Sequence, residues 1–181
     1  MKKNFLLLII LFAFHSVNAQ NETDANPYQK NNEIKLNALN PLFGSLEAGY
    51  ERYLNHNSSL GISFFKVFDN TKNKKDLNYS ITPYYRRYFG KKFASGFFAE
   101  GFGMLSSIDG KKIYDVNDNS KFTEGSDVID LSLGLGLGNK WVTKSGFTFE
   151  VNLGWGKQLF NSDKTDHDQI VRFGVHVGYR F

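Results

Sequence analysis

Beyond residue 31 the chain alternates apolar and polar positions with a period of two, and few segments hold helical spacing. The final stretch shows this best. Val171, Phe173, Val175, Val177, Tyr179 and Phe181 fall on one face, and Arg172, Gly174, His176, Gly178 and Arg180 on the other. Phe147, Phe149, Val151, Leu153 and Trp155 alternate in the same way with Thr148, Glu150, Asn152, Gly154 and Gly156. Successive side chains of a strand point to opposite sides, so this regularity predicts strands with one apolar face and one polar or small face. The template yields eight strands, over roughly 32–39, 44–54, 59–68, 77–89, 93–106, 127–141, 146–160 and 169–181. Most exceed the ~5–6 residues usual in soluble sheets. They suit the ~9–11 residues that cross a bilayer at a tilt.

The predicted connections at 55–58, 90–92 and 142–145 are short, while those at 69–76, 107–126 and 161–168 are longer and polar; the short 40–43 connection is the exception. Short turns on the periplasmic side alternating with longer outer loops are the layout of outer-membrane barrels. An even strand count sets the last strand antiparallel to the first, so the sheet closes without exposed edges. The expected fold is all-β: an eight-stranded antiparallel up-and-down transmembrane β-barrel. A soluble lipocalin-like barrel or sandwich would instead turn the apolar face inward. The face of Ser132, Gly134, Gly136 and Gly138 offers little to water and fits the crowded interior of a narrow barrel. Phe89, Trp141, Phe147, Tyr179 and Phe181 fall near the periplasmic rim, and Phe68, Trp155 and Phe160 toward the other. Two aromatic belts are what lipid interfaces favour. Arg52 and Arg87 lie on the lipid side by parity, close to strand ends where their charges can reach headgroups.

The start of the chain departs from the alternation. Lys2 and Lys3 precede an unbroken apolar run from Phe5 to Phe14, and Ser16-Val17-Asn18-Ala19 then offers small or short residues to a signal peptidase. The run is about half the ~20 residues of a spanning helix. Residues 1–19 therefore read as a secretory signal peptide, 20–31 as a polar periplasmic leader and 32–181 as the barrel. Loss of Lys2 and Lys3 lowers the formal net charge from +4 to +2, which gives no warrant for nucleic-acid binding. The absence of cysteine excludes disulfides, thiolate metal sites, cysteine catalysis and lipid attachment through cysteine.

By parity the lumen receives Lys35, Glu47, Glu51, Arg86, Glu100, Asp130, Lys140, Glu150, Arg172, His176 and Arg180. An eight-stranded barrel is only wide enough for side chains to fill it, and buried charges must be paired. Five acids against five permanent bases therefore predict a salt-bridged plug rather than a channel. A last hairpin whose partner numbers sum to 330 would set Glu150 opposite Arg180 and Gly154 opposite His176. His176 has no serine at a recognisable motif spacing, although Ser132 could approach it across strands; it reads as part of the polar network, so no catalytic residue is assigned. Asp115, Asn117 and Asn119 echo the start of a calcium loop. Ser120 stands where the turn glycine belongs and Ser126 where the bidentate glutamate belongs. Gly134-Leu135-Gly136-Leu137-Gly138 has its glycines on a strand face with no helix following, so it is no phosphate cradle. No metal or cofactor is expected.

The segments Leu39-Asn40-Pro41-Leu42-Phe43-Gly44, Gly49-Tyr50-Glu51-Arg52, Thr82-Pro83-Tyr84-Tyr85-Arg86-Arg87-Tyr88-Phe89 and Gly178-Tyr179-Arg180-Phe181 resemble a family of small Bacteroidetes outer-membrane barrels of unknown function, similar in architecture to OmpA- and OmpX-type barrels. The resemblance spans nearly the whole mature chain and implies fold and location; it implies no activity. Tyr179 and the terminal Phe181 resemble the signal read by the barrel-assembly machinery, an expected partner in biogenesis alongside outer-membrane lipid. Two function classes follow. One is a non-enzymatic structural or interaction protein of the Gram-negative outer membrane, which stabilises the membrane, presents loops outside or docks beside a larger complex; its expected contact surface is the long loop that carries Lys111, Lys112, Tyr114, Asp115 and Lys121. The other is a small-solute pore or lipid-modifying barrel enzyme built on the lumen charges.

Overall fold

The computed structural model describes residues 30–69, 77–110, 112–114, 122–161, 165 and 168–181. The alternating segments form β1 (Asn32–Asn37), β2 (Ser45–Asn55), β3 (Ser58–Val67), β4 (Leu77–Tyr88), β5 (Gly96–Ile108), β6 (Lys112–Tyr114), β7 (Phe122–Glu124), β8 (Val128–Val142), β9 (Phe147–Gln158) and β10 (Gln169–Arg180). Eight of them close a barrel in the order β1-β10-β9-β8-β5-β4-β3-β2, with every adjacent pair antiparallel. β6 and β7 pair with each other as a separate hairpin inside the stretch expected to be plain loop.

The structure departs from the expected strands in three places. β1 stops at Asn37 because Pro41 opens a 3₁₀ turn (Asn40–Phe43) that Gly44 ends at φ 69°. The segment Phe93–Ser95 leaves the wall: Ala94 takes φ 40°, is fully buried, and its N–H donates to the His56 carbonyl at 2.8 Å. This turn folds across the mouth of the barrel at the end where the connections are short. The third departure is the β9–β10 register. His176 faces Glu150 and Arg172 faces Gly154, a displacement of four residues from the expected pairing. An even slip keeps every side chain on its own face, so alternation alone cannot detect it.

Burial follows the alternation with the sense expected of the barrel reading. The outward face carries Ile129, Leu133, Leu135, Leu137, Phe149, Leu153, Trp155, Val171, Phe173 and Val177, all exposed. The inward face buries Glu33, Lys35, Glu51, Arg86, Lys140, Glu150 and Arg180. Phe89, Trp141, Phe147 and Tyr179 are exposed near the short-turn end, and Phe68, Trp155 and Phe160 toward the long-loop end, as two belts; Arg52 and Arg87 are exposed too.

Glycines on the inward face make room for rings. Phe98 and Phe102 of β5 sit opposite Gly138 and Gly134 of β8. A Cβ on either glycine would approach the ring tip to 2.4 and 2.3 Å. The rings lie over the glycines and present their faces to cations. Arg86 stacks on Phe98 at 4.3 Å and on Tyr84 at 4.4 Å, and Arg172 lies over Phe102 at 4.8 Å. Small apolar clusters bracket the charged layer: Tyr53, Tyr88, Ala94 and Phe98 on the short-turn side, and Tyr84, Phe102 and Met104 on the other.

Candidate functional site: the charge network of the lumen

Lys140 enters the centre of the barrel from β8 and Glu51 from β2; both side chains are completely buried. The Lys140 ammonium lies 3.0 Å from Glu33, 2.9 Å from Glu51 and 3.1 Å from Glu150. Those three carboxylates could form a cation site, since their oxygens lie within 4.8 Å of one another. The ammonium group stands among them and supplies the positive charge itself. Glu51 also accepts from Lys35 at 2.9 Å, Arg86 at 3.1 Å, Ser59 and Tyr88 at 2.5 Å each, and Tyr84 at 3.3 Å. Arg86 reaches three carboxylates: Glu100 at 2.6 Å, Glu150 at 2.7 Å and Glu51. Lys35 can cross the lumen because both residues beside it in the sheet are glycine. A Cβ on Gly178 would meet the Lys35 stem at 2.9 Å, and one on Gly49 at 3.3 Å.

At the short-turn end Arg180 bonds Glu33 at 3.1 Å, stacks on Tyr53 at 4.1 Å, and donates to the carbonyls of Phe93 at 3.0 Å and Ala94 at 2.5 Å. Tyr53 donates in turn to Glu33. The guanidinium thus ties the Phe93–Ser95 turn to the charged layer and closes that mouth. Toward the other end Arg172 joins Glu100 at 3.1 Å and Glu47 at 3.4 Å, and Asn37 and Asn40 donate to Glu47. His176 lies between two acids, with Nε2 3.8 Å from Glu47 and Nδ1 3.7 Å from Glu150. Both are too long for hydrogen bonds.

Of the eleven residues expected in the lumen network, Lys35, Glu47, Glu51, Arg86, Glu100, Lys140, Glu150, Arg172, His176 and Arg180 come together. Asp130 does not join them. It is buried, but its carboxylate accepts the N–H groups of Phe160 at 3.2 Å and Asn161 at 2.9 Å, where the chain leaves β9. The expected Glu150–Arg180 pair is replaced by Glu150 with Arg86, Lys35 and Lys140, and Arg180 with Glu33, because of the β9–β10 register. Glu33 is the residue missed, although it shares the parity of Lys35. With Glu33 in and Asp130 out, the network among the described residues again balances five carboxylates against five permanent cations. Ser132 Oγ and His176 Nδ1 are buried without a hydrogen-bond partner among the described residues, so they do not form a nucleophile–base pair. Lys111, Asp115 and Lys121 of the expected contact loop lie outside the described residues, as do residues 1–19; Lys112 and Tyr114 are placed only as members of β6.

A family model described as "Protein of unknown function (DUF3575)" matches residues 5–179. No curated protein matches. Among solved structures, the N-terminal β-barrel domain of Pseudomonas aeruginosa OprF is similar with a TM-score of 0.52 at 15% identity, covering 84% of this chain and 98% of that domain. The outer membrane protein Ail of Yersinia pestis gives a TM-score of 0.42 at 16% identity, over 84% of this chain and all of Ail. The likeness to the OprF domain agrees with the closed eight-stranded barrel.

Proposed function

The chain belongs to the DUF3575 family of proteins of unknown function, and from that premise we propose that it is a non-enzymatic β-barrel protein of a Gram-negative outer membrane. In this reading the barrel is a closed structural or interaction module that presents its long loops outside. The observation that carries it is the inverted burial. Apolar side chains line the outward face, while in the lumen Lys140 and Arg86 each lie 2.7–3.1 Å from both Glu51 and Glu150. Buried charge is tolerable because each group is bonded on several sides, and an outward apolar wall is tolerable because hydrocarbon meets it. Residues 1–19 serve as the barrel's export signal, and Tyr179 and Phe181 as the element read during assembly. The hairpin that bears Lys112 and Tyr114, and the residues Lys111, Asp115 and Lys121 that adjoin its strands in the sequence, are the surface offered to a larger outer-membrane complex.

The Arg180-tied turn at one mouth and the ion-paired layer behind it support a non-conducting lumen. Planar-bilayer recording of the purified barrel tests this. The expected result is no unitary current. Stable conductance steps in the wild type would overturn the plug and favour a small-solute pore. Crosslinking in intact cells through residues placed at 111–121 is expected to trap a partner; a product consisting solely of monomer would remove the docking role.

A further inference from the structure

The outward wall is not uniformly tall. Across β10, β1 and β2 one row reads Tyr179, Ile34, Tyr50, and the next Val177, Leu36, Ala48. Ala48 is the small member, between Leu36 on one side and Phe64 on the other. Beneath the row run Gly49 and Gly178, whose missing side chains belong to the opposite face. The result is an open apolar groove of about 830 Å³, walled by Ile34, Leu36, Tyr50, Phe64 and Tyr179 with Ala48 in its floor.

Both tyrosines point to the short-turn rim, and each ends beside a cation. The Lys30 ammonium is 3.4 Å from the Tyr179 hydroxyl. The Tyr50 hydroxyl and the Arg52 guanidinium share the Asn32 side-chain oxygen, at 2.8 and 2.9 Å. Neither cation has a carboxylate partner among the described residues. Among the described residues, the short connections add Lys91 and Lys144 and no acidic side chain.

We propose that this groove is a binding site for one anionic glycerophospholipid of the periplasmic leaflet: an acyl chain lies over Ala48, and its phosphate is held between Arg52 and Lys30. The site rests on the reading that the outward wall meets lipid. It goes further in distinguishing one bound lipid from the general annulus. The groove supplies shape at acyl depth, and the two cations supply charge at headgroup depth on the same sector. Guanidinium and ammonium groups are the usual phosphate donors. The tyrosines fit an interfacial position, with ring in hydrocarbon and hydroxyl at the polar boundary.

Native mass spectrometry of the delipidated barrel, titrated with phosphatidylglycerol or with diacylglycerol of the same chains, tests the site. The wild type is expected to retain one phosphatidylglycerol and to hold diacylglycerol far more weakly. The Lys30→Gln/Arg52→Gln variant changes only exposed or half-exposed rim groups and leaves the fold intact. It is expected to weaken phosphatidylglycerol retention on the order of thirtyfold, from two surface cations. Ala48→Phe fills the groove and is expected to abolish retention, with heat-modifiable gel mobility as the check that the barrel has formed. Equal retention of both lipids, or retention unaffected by either variant, overturns the proposal. So does a wild-type dimer that Ala48→Phe dissociates, which would make the groove an interface between copies. A protein that stays monomeric in water without detergent would instead overturn the outer-membrane reading itself, so the two failures are distinguishable.

Discussion

Replacing Glu51 by glutamine removes one negative charge from the middle of the barrel and leaves its donors in place. Lys35, Lys140 and Arg86 all lie within 3.1 Å of this carboxylate, and Ser59, Tyr84 and Tyr88 direct hydroxyls at it. The side chain is fully buried, so water cannot replace what is lost. Deleting one partner of a buried ion pair costs about 3–5 kcal/mol, most of it the penalty of the stranded opposite charge. We expect Glu51→Gln to fall in that range. Lys140→Met in the same chain removes the excess cation; the double variant is expected to lose clearly less than the two single losses added together. The exposed pair Lys157–Asp168, at 3.6 Å, is the control; Lys157→Gln is expected to change stability by less than about 1 kcal/mol. The assay is urea unfolding of the barrel folded into lipid vesicles, followed by fluorescence of Trp141 and Trp155 and by gel mobility. A loss below about 1 kcal/mol for Glu51→Gln, or additive losses in the double variant, would refute a tightly paired, dry lumen.

Three further outcomes follow from the geometry. Gly61→Ala places a Cβ 2.2 Å from the Tyr84 ring and is expected to cost about 1–3 kcal/mol, non-additively with Tyr84→Leu in a double-mutant cycle; full additivity would show that the ring has room. Leu135 is 75% exposed at the midpoint of β8, so Leu135→Arg is expected to cost about 2–4 kcal/mol when the barrel folds into vesicles; unchanged folding would mean that this face does not meet hydrocarbon. Asp130→Asn weakens the hold on the N–H groups of Phe160 and Asn161 and is expected to raise their hydrogen exchange and cost roughly 1–2 kcal/mol. Exchange that is unchanged there would place the loop anchor elsewhere.

The amino-acid sequence by itself determined the wall of the barrel and the side of it each residue occupies. A strand alternates its side chains strictly, so parity placed Lys35, Glu51, Arg86, Lys140 and Glu150 within and Leu133, Leu153 and Val175 without, and the strand limits came out within a few residues. Parity is blind to even slips, to where a strand starts, and to distance along the axis. Only the tertiary structure could therefore exchange the Glu150–Arg180 pair for Glu150–Arg86 and Glu33–Arg180, and set Asp130 to hold the end of β9 rather than join the network. Only it could fold Phe93–Ser95 across the mouth, since that turn is fixed by Arg180 from the far end of the chain. Local pattern fixes which face a side chain takes; which charges meet across the lumen depends on register and closure, and those are properties of the whole sheet.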